Sequence, residues 1–218
     1  RMREQLVKMR TMQINQLRGL LYEFGVSLPA GRQKGMAEVA PALAQLEETL
    51  PALVLEALQA QRARIDTLTQ DIEEIERKLS AWRRQDEAAR RLMQIPGVGV
   101  LTATAAVATI GEAKVFRSGR EFAAFLGLVP RQSGTGGRVK LLGISKRGDG
   151  YLRRLLIHGA RAVITHAKAR DPWVEALLAR RPLNAVVVAL ANKMARTIWA
   201  LLAHGRHYEP RGQALGCA

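Results

Sequence analysis

The chain has 218 residues and a formal charge of +15, from 34 Lys and Arg against 19 Asp and Glu. No apolar run reaches the roughly 18 residues that a spanning helix needs, no signal peptide is visible, and a membrane partner is not expected. The single cysteine, Cys217, can form no internal disulfide and brings no thiolate to the four histidines, His158, His166, His204 and His207, so a metal site built on N and S ligands is not expected either.

Such an excess of positive charge destabilises a compact monomer by self-repulsion unless a polyanion or a partner offsets it. Nucleic acid is the natural polyanion, because each phosphate neutralised by Lys or Arg releases condensed counterions. Aromatic residues make up only 5% of the chain, which argues against recognition of unpaired bases by stacking.

In chain order, Met2, Leu6, Met9, Leu17, Leu20, Leu21 and Phe24 recur at helical spacing and predict a first helix over 2–25, ended by Gly25 and the Pro29-Ala30-Gly31 turn. The pattern is already under way at Arg1, so further sequence is expected to precede it. A short basic loop with Arg32 and Lys34 leads to a weakly helical stretch over 37–49. Pro51 then starts a long helix predicted to run to about Met93. Along it Leu58, Ile65, Leu68, Ile72, Ile75, Leu79 and Trp82 follow a heptad, with Gln61 at one seam position. Two readings of this seam stay open: an antiparallel arm folding back on 2–25, or a homo-oligomer interface through 51–91. The carboxylates between Asp66 and Glu87 have many basic neighbours and read as the solvated side of the arm, not as a metal site. Trp82, Trp173 and Trp199 lie at helical-core spacing and read as packing residues.

Composition shifts near residue 92, which divides the chain into a helical linker and coiled-coil arm (1–91), a compact domain (92–209) and a tail (210–218). Capping signals frame short helices in the second part: Ser118 to Glu121 before 122–126, and Asp171-Pro172 before 173–179. A last strong helix is predicted over 184–204, stopped by Gly205. The fold class is therefore mainly α, with a small Gly-rich hairpin near residues 130–145.

Three segments carry candidate chemistry. Ile95-Pro96-Gly97-Val98-Gly99 opens the predicted helix 101–110, and Gly97 and Gly99 would leave backbone N–H groups open to a phosphate. Helix-hairpin-helix DNA-binding modules resemble this turn, and the alternative is a tight helix–helix turn that touches no ligand. The second segment, Val129 to Lys140, sets Ser133 and Thr135 among glycines, with Arg131, Arg138 and Lys140 close in sequence. A hydroxyl among cations and free N–H groups suits nucleophilic attack at phosphorus. A hairpin turn with a capping serine is the plainer alternative, and neither His nor carboxylate stands nearby as a general base. The third segment, Leu142 to Arg154, places Lys146, Arg147, Arg153 and Arg154 around the start of a helix. From Arg138 to Arg170 nine basic residues face only Asp149, a net of +8 that marks an electrostatic footprint.

The succession Ile95 to Gly99, Phe125 to Gln132, Ser133 to Gly137 and Gly143 to Asp149 resembles the insertion-sequence transposases that pair an N-terminal RuvC-like acidic domain with a C-terminal serine domain. The resemblance covers essentially the whole chain, with 1–91 as linker and coiled coil and 92–209 as the serine domain. It implies strand cleavage and rejoining through a covalent phosphoserine, with Ser133 as the nucleophile, Thr135 as the alternative and Ser145 a weaker one. It implies phosphate contacts by Gly97, Gly99, Arg131, Arg138, Lys140, Lys146, Arg147, Arg153 and Arg154. DNA and a structured guide (bridge) RNA are the implied partners, and the bacterial cytoplasm, at the nucleoid, the implied location. No acidic tetrad is present, so Mg2+ is expected in a missing N-terminal domain, no cofactor in this chain, and no recombinase activity from this chain alone. A non-enzymatic helix-hairpin-helix DNA-binding protein, dimerising through its arm, is one rival reading, and an RNA-binding structural protein another.

Overall fold

The computed structural model describes residues 1–135, 138–167 and 171–209. Gly136, Gly137, Lys168, Arg170, Cys217 and the tail 210–218, all invoked above, lie outside the described residues. The chain divides into two compact units, after Lys78. As the sequence predicts, the fold is mainly α, with one two-stranded sheet among the described residues.

The first unit holds α1 (Met2–Glu23), α2 (Arg32–Ala37), α3 (Val39–Leu46) and most of α4 (Ala52–Gln85). Ile14, Leu17 and Leu21 of α1 share a buried cluster with Val39, Leu43 and Leu46 of α3 and with Leu58 and Ile65 of α4. Three side-chain bonds fix the direction of the long pair. Arg3 Nε donates to Glu76 at 2.6 Å, Arg10 Nη1 to Thr69 at 3.5 Å, and Gln61 Nε2 to the Gln13 carbonyl at 3.1 Å. The two helices therefore run antiparallel, and the apolar seam of α4 over these turns faces α1. Gln61, the polar residue at the seam, is 6% exposed and has its amide nitrogen satisfied by a backbone carbonyl.

Three local expectations need correction here. Residues 32–37 are a helical turn, not a loop: Arg18 reaches across to the carbonyls of Leu28 and Pro29 and secures the preceding turn. The long helix stops at Gln85, short of Met93. Asp86 leaves the helical region (φ −89°, ψ 112°) and its carboxylate accepts from the Ala89 N–H at 2.6 Å, so it caps a new short helix, α5 (Glu87–Leu92). An aspartate that can bond the backbone two or three residues ahead competes with helix continuation. Trp82, near that end, is 38% exposed and is not the packing residue its spacing predicts.

The second unit is organised around α10 (Leu183–His204). Val186, Val187, Leu190, Ala191, Met194, Ala195, Ile198 and Leu201 of this helix are all buried. By length and mean hydropathy (1.4) α10 is apolar enough to cross a membrane, but here it is the helix on which the core is built. Around it pack α7 (Gly119–Phe125), α8 (Gly150–His166), α9 (Pro172–Leu178) and the 3-10 turn Ala113–Val115. Helix α6 (Val100–Ile110) packs against α5 and α8. Trp199 donates its indole N–H to the carbonyls of Ala113 (2.9 Å) and Phe116 (3.2 Å), tying that turn to α10.

The expected caps form as side-chain bonds. Ser118 Oγ accepts from Glu121 N, and Glu121 reaches back to Arg117 N at 2.7 Å. Asp171 accepts from Trp173 N, with Pro172 at the first helical position, and Gly205 closes α10 in the left-handed conformation.

Candidate functional site

The Gly-rich segment forms an antiparallel hairpin of β1 (Pro130–Thr135) and β2 (Arg138–Ile144). The register pairs Gln132 with Leu141, Ser133 with Lys140, Gly134 with Val139 and Thr135 with Arg138. Directly opposed residues share a face and alternate residues along a strand return to it. Ser133, Thr135, Arg138 and Lys140 therefore project from one face, and Gln132 and Leu141 from the other. Between Pro130 and Gln132 the register shifts, so that Arg131 opposes both Leu142 and Gly143 in a bulge. Every residue of β1 is exposed. The hairpin presents two hydroxyls and two cations to solvent on a scaffold anchored at its base.

That base is built by close backbone contact. Ser145 N donates to Val129 O at 2.9 Å and Lys146 N to Gly127 O at 3.2 Å. A Cβ on Gly148, where φ is +74°, would lie 1.7 Å from the Phe125 carbonyl oxygen, and one on Gly127, at φ +68°, 2.2 Å from that of Arg147. Only glycine fits at these two positions, which is why the two motifs on either side of the hairpin each need one. Lys146 also takes positive φ (+56°) and is exposed, as is Arg147.

Arg153 has a different role from its basic neighbours. Its Nη1 donates to Leu126 O at 2.8 Å and to Arg147 O at 2.9 Å, so its guanidinium joins the two backbone segments under the hairpin. Asp149 caps α8 through the N–H groups of Tyr151 and Leu152 and accepts a bond from Thr109 of α6 at 3.1 Å. Arg154, one residue on from Arg153, is exposed.

The glycine turn lies elsewhere in the same unit. Gly97 is half-buried with φ +82°, and a Cβ there would stand 2.6 Å from Gly159 O of α8, while the reverse substitution would bring Cβ 2.1 Å from Gly97 O. Gly97 and Gly159 thus form a backbone-to-backbone contact within the protein. Gly99 is exposed, has open space around it and is the N-cap of α6.

Among the candidate residues the hairpin register brings together Ser133, Thr135, Arg138 and Lys140. Lys146, Arg147, Arg153 and Arg154 belong to the loop and first turn beyond it, and Gly97 and Gly99 to the separate turn before α6. Two further exposed residues of α8, His158 and Arg161, are not among the phosphate contacts expected from the sequence, although Arg161 counts toward the basic stretch. Their spacing of four and seven from Arg154 was the available signal. Among the described residues no three His, Cys, Asp or Glu side chains gather in one place.

Residues 89–177, which include the hairpin, the glycine turn and α8, match the model of the Transposase IS116/IS110/IS902 family. A probable family 20 transposase of Pseudomonas aeruginosa is 47% identical over 215 residues, covering 96% of this chain and 64% of that protein. The transposase for insertion sequence element IS1111A of Coxiella burnetii is 41% identical over 212 residues, covering 95% of this chain and 58% of that one. The transposase for insertion sequence element IS1328 of Yersinia enterocolitica is 40% identical over 211 residues, with 94% and 62% covered.

The class these matches define is that of the transposases. Residues 89–177 carry the domain that the Transposase IS116/IS110/IS902 family model describes, and the chain is similar to transposases on both sides of it. It spans between 58% and 64% of the length of these three relatives.

Proposed function

We propose that this chain is the strand-joining part of a DNA transposase, in which the hairpin hydroxyl attacks a DNA phosphodiester. The observation that carries this reading is the pairing of Ser133 with Lys140 on one exposed hairpin face, inside the family-matched segment. In the step envisaged, Ser133 Oγ forms a bond to phosphorus and the bond from phosphorus to a deoxyribose oxygen breaks. The hydroxyl proton leaves to solvent and the departing oxygen takes one up, which leaves a phosphoserine ester and a free DNA end. Attack by another DNA hydroxyl on that ester would restore Ser133 and join the strands. Lys140 and Arg138 stabilise the charge that grows on the non-bridging oxygens, and Thr135, opposite Arg138, is the alternative nucleophile. Arg131, Lys146 and Arg147 extend the same positive field toward flanking phosphates, with Gly99 at the N-terminus of α6 as a separate backbone contact.

The remaining partners follow from the same reading. Magnesium would be held by carboxylates outside this chain, a structured guide RNA would supply target choice, and the work would be done in the cytoplasm at the nucleoid. A homo-oligomer through residues 51–91 would use faces of α4 other than the one α1 covers. The exposed methionines of α1, Met2, Met9 and Met12, offer a further apolar face for it.

The test is transposition by a protein of the relatives' full length that carries this segment. Ser133→Ala is expected to abolish it while leaving DNA binding intact. Unchanged transposition by Ser133→Ala would overturn the serine assignment and favour a segment that binds DNA without reacting with it.

A further inference from the structure

The exposed face of α8 is a candidate interface in its own right. Leu152, Leu156, Ala160 and Ile164 bury one side of the helix in the core. That fixes the opposite side, with Arg154, His158, Arg161, Ala162 and Thr165, toward solvent. No acid occurs anywhere between Gly150 and His166. A helix buried on one side by leucines has no folding reason to exclude Glu and Asp from the other, where i,i+4 acid–base pairs normally add stability.

A second element brings more charge to the same place. Arg161 Nη2 donates to Asn184 Oδ1 at 2.8 Å, which ties the start of α10 to the α8 face. Arg180 and Arg181, four and three residues before Asn184, are both exposed. The bond also orders the long Arg161 side chain, so less side-chain entropy remains to be lost when a ligand binds.

We infer that this face seats the phosphate backbone of duplex DNA, with α8 lying along the major groove. The inference deepens the DNA reading above and rests on it. From Arg154 to Thr165 the ridge is about 16 Å long at ~1.5 Å per residue. Over that length a DNA duplex presents a charge every ~1.7 Å. A protruding helix ridge enters the B-form major groove, roughly 12 Å wide, whereas the A-form RNA major groove is too deep and narrow for it. The solvent-facing positions of the ridge carry no Phe, Tyr or Trp, and the imidazole of His158 is their one aromatic ring, too few for a stacking platform of successive unpaired bases.

The experiment titrates the 218-residue chain with a fluorescein-labelled 30-base-pair duplex of arbitrary sequence at several salt concentrations. The double variant Arg154→Gln/Arg161→Gln is expected to shrink the slope of log K against log salt by about 2 and to weaken binding at least tenfold. Ala162→Glu, a change at an exposed position with no internal role, is expected to weaken binding at unchanged melting temperature, and it decides the matter should the double variant fold poorly. Slope and affinity equal to the parent chain in Ala162→Glu would overturn the inference, as would a loss confined to a structured RNA hairpin. This titration reads duplex binding alone, whereas the serine chemistry is read in transposition, so failure of the serine chemistry and failure of the α8 surface remain separable.

Discussion

Ser133 stands directly across the hairpin from Lys140, on the face that also carries Thr135 and Arg138. Opposed residues in an antiparallel pair have Cβ atoms about 4.5–5.5 Å apart, so an ammonium on the four-carbon stem of Lys140 reaches any phosphate that Ser133 can attack. Lys140→Ala in a full-length transposase is therefore expected to lower the rate of strand transfer by about 10²–10³, the effect of removing one transition-state charge stabiliser. Lys140→Arg should recover part of it. Single-turnover formation of the covalent adduct is the readout, with duplex binding measured alongside to separate chemistry from affinity.

Gly148→Ala is expected to destabilise the second unit by at least about 2 kcal/mol, through overpacking and an unfavourable positive φ together. The added methyl would lie 1.7 Å from the Phe125 carbonyl oxygen. Thermal unfolding followed by circular dichroism checks this, and Gly99→Ala, where nothing lies within 4 Å, serves as the mild control.

The separate roles of Arg153 and its neighbours make a distinct prediction. Arg153→Met leaves the carbonyls of Leu126 and Arg147 without their donor, at a cost of about 1–3 kcal/mol. Its melting temperature should fall while the salt slope of DNA binding by the folded protein stays unchanged. Lys146→Gln should do the reverse and shrink the slope by about 1 without loss of stability.

These roles show what the sequence could and could not convey. The caps at Ser118, Asp171 and Gly205 were legible because each depends on residues two to four positions away. The hairpin was legible for a similar reason, since its two strands are neighbours in a short Gly-rich stretch of sequence. What depends on distant chain was not legible. Arg153 looks like any other basic residue until residues 126 and 147 are seen to meet at its guanidinium, and the pairing of Gly97 with Gly159 spans two motifs that the sequence keeps apart. The end of α4 was missed because Asp86 caps a new helix inside an unbroken helical pattern, and helix propensity alone gives no sign of that break.

The buried Gln61 offers a test of the first unit. Its amide is satisfied by the Gln13 carbonyl at a seam position otherwise suited to an apolar side chain. Gln61→Leu is expected to be neutral or to stabilise by up to about 1 kcal/mol, whereas Gln61→Ala should cost about 1–2 kcal/mol by leaving space between α1 and α4. Denaturant unfolding of both variants measures the difference.

The measurement that bears most directly on the central claim is capture of the covalent intermediate. A transposase of the relatives' full length carrying this segment would be incubated with a nicked DNA substrate whose cleaved end diffuses away, and the protein–DNA adduct then digested and mapped by mass spectrometry. The account predicts a phosphoester on Ser133 that disappears in Ser133→Ala. An adduct on another residue, or strand transfer with no protein-linked DNA at any stage, would contradict it.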